Sequence, residues 1–466
     1  MSTAVVVGSG PNGLAAALTL AAAGVAVTVI EANDTLGGGV RSAESTLPGL
    51  VHDECSGLHP LALGSPFARE FDLAGAGLAW TRAPIELAHP LADGGAALHH
   101  SAAETAAGLD DASWSAVFGP LAARFDTISE EFLQPMLHVP RHPIHLARFG
   151  AYSALPTDLM ARRLRTPAAR ALFAGTAAHA FRPFDTPFSA AIGVALTTAA
   201  HRFGWVAARG GSGAIADAIL TRCAEYGVKL ETGRRVDSLD ELGPVDLVML
   251  DTAPGAAARI CGDRMPGRIR HAYNTFRHGP GAFKVDFAVE GGVPWTYEPA
   301  RSAGTVHLGG SWQETAAAEK LVARGQLPEH PFVLVGQQYL ADPTRSVGDL
   351  HPLYSYAHVP AGYQGDATDA ITARIEQFAP GFRDRVRAIA VRTTTDMTRH
   401  NANYVGGDVV TGANSARQLV FRPRISVHPY DTGVPGVYLC SAATPPGAGA
   451  HGMCGFNAAH RALDRL

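Results

Sequence analysis

Apolar residues recur along this chain in three rhythms, and each predicts a different element. Two short unbroken runs, residues 4–7 and 25–30, flank a glycine turn and an alanine-rich stretch over residues 14–23. That order predicts strand, turn, helix and strand, and the second run ends on an acid, Glu31. Alternation of apolar and polar positions appears later, in residues 282–289 and 331–336, and predicts strands of a mixed sheet. Alanine, leucine, phenylalanine and histidine at mostly helical spacing fill residues 76–204, which predict a helical lid. A last apolar run, residues 436–440, feeds a glycine-rich turn and a helix from about Gly452.

A chain of 466 residues exceeds one ordinary core. The spacing of these segments predicts an α/β fold: a discontinuous Rossmann-like dinucleotide-binding domain from residues 1–75, 205–265 and 425–466, with an inserted substrate domain. Residues 76–204 and 266–424 would build that insertion as lid and mixed sheet, leaving a substrate pocket between sheet, lid and cofactor.

The first glycine turn carries the most specific chemistry. Gly8 permits the tight turn, Gly10 lets backbone N–H groups approach a pyrophosphate at the helix N-terminus, and Gly13 lets helix and strand pack closely. Pro11 and Asn12 complete the turn, and Glu31, followed by Ala32, is placed to take ribose hydroxyls. The same glycine spacing recurs at residues 447–452, too near the C-terminus for the rest of the unit to follow. Beyond Glu31, Gly38 and Gly39 again allow close backbone approach, and Arg41 can neutralise phosphate charge. An NAD site ordinarily needs one turn and one acid. Here two further segments, residues 209–236 and the C-terminal turn, supply distant contacts of the kind an extended FAD requires.

Composition narrows the functional classes. With 47% hydrophobic and 17% charged residues and a net charge of -4, the chain has no electrostatic footprint for nucleic acid. No uncharged run reaches the roughly 20 residues that span a bilayer, which leaves at most peripheral membrane contact. Met1-Ser2-Thr3 carries no positive residue ahead of the apolar run, so the start does not read as a signal peptide, and the expected location is cytoplasmic. Five cysteines without a C-x-x-C pair argue against a dithiol relay. His138, His142, His145 and His179 do not read as a metal site, because Pro140 and Pro143 break the helix that would align the first two.

Residues 53–60, 284–288, 305–310, 378–382 and 403–408, and above all 441–455, together with the N-terminal turn, resemble the phytoene desaturase and amine oxidase superfamily. More narrowly the chain is similar to its phytoene dehydrogenase-like group. The resemblance implies FAD with its pyrophosphate at Gly8 to Gly13, its ribose on Glu31, its adenine near the backbone of Val236, and the last helix, starting at Gly452 and Met453, facing the flavin ring. Two departures stand out. The arginine that follows the paired glycines in the superfamily is here Gly39, with Arg41 two residues later, and Thr444 stands near the place of an acid in the C-terminal motif.

For catalysis, the flavin itself accepts hydride, so the protein need only position a substrate C–H and exclude competing reactions. Should a side-chain base be needed, His451 beside the C-terminal turn is the first candidate and His59, in the turn before Pro60, the second. Lys284 is a third, being one of only three lysines, with Lys229 and Lys320; the alternative for it is a polar strand face shared with Asp286. The expected activity is FAD-dependent dehydrogenation, desaturation or oxidation of an apolar or amphipathic small molecule, with oxygen or a quinone as electron acceptor. Redox-neutral flavin-dependent isomerisation and a non-catalytic flavin-binding role are the other classes.

Overall fold

The computed structural model describes residues 2–466. Two sheets organise it. The first has five parallel strands, in spatial order Val437–Leu439, Leu247–Leu250, Thr3–Val7, Ala26–Ile30 and Lys229–Glu231. Alternate residues of the first strand serve opposite faces: Ala4 and Val6 pack with Ala17 and Leu20 of the helix Pro11–Ala22, while Val5 and Val7 pack with Ala257 and Ile260 of the helix Pro254–Cys261. Such two-sided burial is why these strands read as unbroken apolar runs. The last helix, Met453–Leu463, lies against the first, and a Cβ at Gly455 would overlap the carbonyl of Asn12.

The second sheet has seven strands, in the order Val386–Arg392, Gly281–Glu290, Leu350–Val359, Val333–Gly336, Ala303–Leu308, Ile85–Leu91 and Gly94–Leu98. All neighbours are antiparallel except Ala303–Leu308 with Ile85–Leu91. One face carries the helical layer, which includes Pro167–Ala178 and Ala190–Phe203. The fold is therefore Rossmann-like α/β with an inserted mixed sheet and helices.

Residues 76–204 are largely but not wholly helical, so the expected helical lid also carries a hairpin. Their hairpin Ile85–Leu98 completes the second sheet. Its alternation is masked because polar side chains are buried beside alanines: Glu86 accepts the Trp205 N–H at 2.6 Å, and His89 Nε2 donates to the Gly310 carbonyl at 2.7 Å.

The two regions are joined by a buried ion pair. Arg345 Nη1 lies 2.6 Å from Asp53 Oδ2, and the other Asp53 oxygen accepts the Ser212 N–H at 2.7 Å. Asp342, also bonded to Arg345, accepts the Gly210 N–H at 2.6 Å. Segments distant in sequence thus meet through satisfied charges rather than apolar contact alone.

Candidate functional site

The glycine turn closes with the Gly8 N–H donating to Ile30 at 2.8 Å, and Gly10 caps the first helix without any side-chain cap. Its glycines are demanded by one neighbour, Asp251, just past the strand Leu247–Leu250. A Cβ at Gly10 would sit 2.6 Å from Asp251 Oδ2, and one at Gly8 would sit 2.8 Å from its carbonyl oxygen. A side chain at Gly13 would collide with the Gly8 carbonyl. Asp251 Oδ2 accepts the Gly13 N–H at 3.0 Å, and burial together with the charge of Glu31 raises its carboxyl to about 7.

Glu31 is buried, and both of its oxygens are already engaged. One accepts the Ser9 N–H and hydroxyl at 2.9 and 2.7 Å; the other accepts the Asn33 N–H and amide at 2.9 and 3.1 Å. A carboxylate offers about four acceptor sites, so a ribose hydroxyl would have to share with or displace the Asn33 side chain. Ala32, beside it, is exposed. Gly38 packs on Gly10, where a Cβ would lie 2.7 Å from its Cα, and a Cβ at Gly39 would overlap the Tyr404 hydroxyl. Arg41 is held by the protein: it donates to Gly38 O at 3.0 Å, Thr35 Oγ1 at 2.8 Å and His400 O at 2.7 Å, with Glu54 at 3.5 Å. Its charge is thus answered internally.

At the C-terminal turn, Thr444 is fully buried and its hydroxyl donates to Ser441 O at 2.8 Å. His451 is buried and its Nδ1 accepts the Met453 N–H at 3.1 Å, so the ring fixes the start of the last helix, whose cap Gly452 is left-handed at φ 71°. Burial pushes its imidazole down to about 4. His59 is likewise held at about 4 by burial and bonds Ser212 Oγ at 2.9 Å. Lys284 and Asp286 share a strand face, as one of the two sequence readings has it. That face is buried, and the two side chains pair beside the Tyr354 ring, whose centroid is 4.6 Å from the Lys284 nitrogen. Val236 packs with Leu239 and Leu250 in the core beneath the first sheet.

One cavity runs past these residues. At one end it is lined by Gly10, Pro11, Asn12, Gly39 and Asp251; at the other by Phe181, Ile192, Leu196 and Leu334. Ala442, Ala443 and residues 448–450 form its wall near the C-terminal turn. Asn12 Oδ1, buried at the glycine end, has no hydrogen-bond partner, an acceptor left free where a ligand would lie. His451, His59, Lys284, Thr444 and Val236 are not among the lining residues.

Side chains that the motifs did not single out reach this cavity: Asp251, His179, Trp205, Tyr356, Asn414 and Arg422. His179 Nε2 lies 3.0 Å from His307 Nε2, and burial holds His179 at about 3, so it is a neutral imidazole. Asp251 did carry a sequence signal, since it ends an apolar run as Glu31 does. Arg422 carried none, because nothing in its local pattern tells a buried arginine from an exposed one.

A family profile described as an NAD(P)-binding Rossmann-like domain matches residues 6–66. Over 96% of the chain, the sequence is 26% identical to a phytoene dehydrogenase of Streptomyces griseus, covering 91% of that protein. This chain is similar to the phytoene dehydrogenase-like oxidoreductases. It is also 25% identical over 296 residues to the rat pyridine nucleotide-disulfide oxidoreductase domain-containing protein 2, covering 55% of this chain; the match spans about half, 50%, of the rat protein's length. In fold it resembles a variant of putrescine oxidase, with a TM-score of 0.62, 17% identity and coverage of 100% of both chains. Among the described residues, no helix is long and apolar enough to cross a membrane.

Proposed function

We propose that this chain is an FAD-dependent oxidoreductase that takes a hydride from an apolar or amphipathic small molecule. The observation that carries this reading is the single cavity joining the glycine turn to the apolar wall of Phe181, Ile192, Leu196 and Leu334. The free Asn12 Oδ1 and the side-chain-free backbone at Gly10 and Gly39 fit a dinucleotide at the first end, and the uncapped helix N-terminus after Gly10 favours its negative charge. Bound there, FAD would supply a two-electron acceptor for a substrate C–H.

The chain's own part is to bind, orient and exclude water. The apolar wall selects substrates that lose little on leaving water. His179, neutral at physiological pH, serves as a hydrogen-bond partner rather than as a strong base. His451 positions the last helix through its bond to the Met453 N–H, and the N–H groups that begin that helix favour negative charge beyond it. Oxygen or a quinone would be the terminal acceptor of the two electrons and leave as peroxide or quinol.

The purified protein is expected to be yellow and to release FAD, rather than FMN or NAD, on denaturation. Mixed anaerobically with fractions of a lipid extract, it should bleach with at least one of them. A colourless protein that cannot be reconstituted with FAD refutes the proposal. Turnover with no acceptor consumed would replace it with redox-neutral isomerisation.

A further inference from the structure

Arg422 is 2% exposed and lines the cavity, yet among the described residues no carboxylate lies within 4 Å of its guanidinium. Its hydrogen bonds go to neutral acceptors only: Nε donates to Gln418 O at 3.0 Å, Nη1 to Ala442 O at 3.2 Å, and Nη2 to Asn414 Oδ1 at 3.0 Å. A guanidinium has five N–H donors, so two are unspent. Behind it, Asn414 donates to Ala180 O at 3.1 Å and its own carbonyl accepts from Arg182. Arg182 also has no carboxylate within 4 Å among the described residues. Two cations therefore converge on one asparagine, and the carboxylate that acts on Arg422, the buried Asp408, lies beyond 4 Å and is engaged by the N–H groups of Gly279, Val410 and Gly412. Elsewhere in the core Asp53 is matched by Arg345 and Lys284 by Asp286. Arg374 likewise has no carboxylate within 4 Å among the described residues, but it donates to Leu308 O and Gln377 Oε1 and does not line the cavity. A buried charge without a direct partner is costly unless a ligand or a nearby charge offsets it.

The position tells which end of the cavity is concerned. Arg422 is fixed by Asn414, which is tied to the lid at Ala180, and by Ala442 of the C-terminal turn. It therefore stands where the C-terminal turn meets the lid side of the cavity. We infer that Arg422, braced by Asn414 and Arg182, binds the oxyanion head of the substrate, making that substrate an amphipathic carboxylate or phosphate rather than a hydrocarbon. The planar fork matches two oxygens of such a head while the apolar wall takes its tail. This rests on the reading of the cavity as a substrate site. The cofactor's diphosphate offers the same chemistry from a second source.

The test titrates octanoate and octanol calorimetrically into the purified protein, and ADP into the cofactor-stripped protein. Octanoate should bind roughly ten-fold or more tightly than octanol. Arg422→Gln should erase that ratio, Arg422→Lys should keep part of it, and ADP affinity and FAD content should stay unchanged. Equal binding of acid and alcohol, or no octanoate binding at millimolar concentration, overturns the inference. So does an Arg422→Gln protein that loses ADP and FAD but keeps the octanoate preference, which would give the arginine to the cofactor. If Arg422→Gln does not fold, the acid-to-alcohol ratio of the parent and of Asn414→Ala decides. Absence of FAD would defeat the proposed oxidoreductase while leaving the octanoate ratio readable.

Discussion

The two ends of the cavity are built on opposite principles. At the glycine end nearly every polar group has a partner within the protein: Glu31 takes four hydrogen bonds, Arg41 faces Glu54, and Asp251 is clamped on the Gly13 N–H. Towards the lid, capacity is left over: Arg422 has unspent donors in the cavity wall, and behind that wall His89 Nδ1, His307 Nδ1 and His358 Nε2 are buried without partners. The first end is a rigid receptacle that selects by shape, mostly through backbone. The second retains unsatisfied polar groups, which is where discrimination between ligands is greatest, since a buried group left unpaired is costly.

The sharpest challenge to this comparison is at the link between the ends. Arg345→Met leaves Asp53 buried and unpaired, and should lower stability by about 3–5 kcal/mol in denaturant unfolding, weakening both ends together. A loss confined to one end would mean the regions are held together by something else.

Next in size is Glu31→Ala. Removing an ionised acceptor that organises Ser9 and Asn33 should weaken FAD retention by about 1.5–3 kcal/mol, measured by equilibrium dialysis, with the fold intact by circular dichroism. Unchanged retention would reduce the acid to a strand-end residue.

A smaller effect is expected from pH. Because the Asp251 carboxyl is raised to about 7, the folded chain holds its proton more tightly than the unfolded chain. Its contribution to stability is full below the usual carboxylate range and is lost as pH rises towards and through about 7. This opposes the rise in stability that the buried neutral His59, His179 and His451 impose as pH increases from about 4. Asp251→Asn should therefore raise the urea midpoint of the cofactor-free protein relative to the parent by an amount that grows between about pH 4 and pH 8. A difference that stays constant over the same window would contradict this.

The smallest effect belongs to the lid end. His307→Leu removes a bond to His179 but also a buried nitrogen without a partner, so stability should change by less than about 1 kcal/mol in thermal unfolding. A large loss would show that this cluster is as tightly organised as the glycine end.

How far the chain could be read in advance follows the range of the interactions. The first strand, turn, helix and strand are local, and so are the strands Gly281–Glu290 and Val333–Gly336, because each shows its rhythm within a few residues. The hairpin Ile85–Leu98 escaped because Glu86 and His89 face buried partners more than a hundred residues away, which breaks the polar-out pattern. Within the site, the glycines were legible, but that Asp251 packs on them was not, because it stands 238 positions from Gly13. Arg422 bonds a carbonyl at Ala442 and a side chain at Asn414, and nothing in residues 414–422 says that these enclose a cavity.

The glycine contact between the first and last helices bears on how the protein is made. The fingerprint is translated long before the segments that support it: its helix is bedded on Gly455, and its sheet is completed by Val437–Leu439. Closing contacts of that sequence separation is slow and comes late. The nascent N-terminal segment must therefore wait through more than four hundred residues of translation before its nucleotide cradle is supported on both sides. Until residues 437–455 have been made, the apolar strands of the first sheet lack the neighbours that cover them.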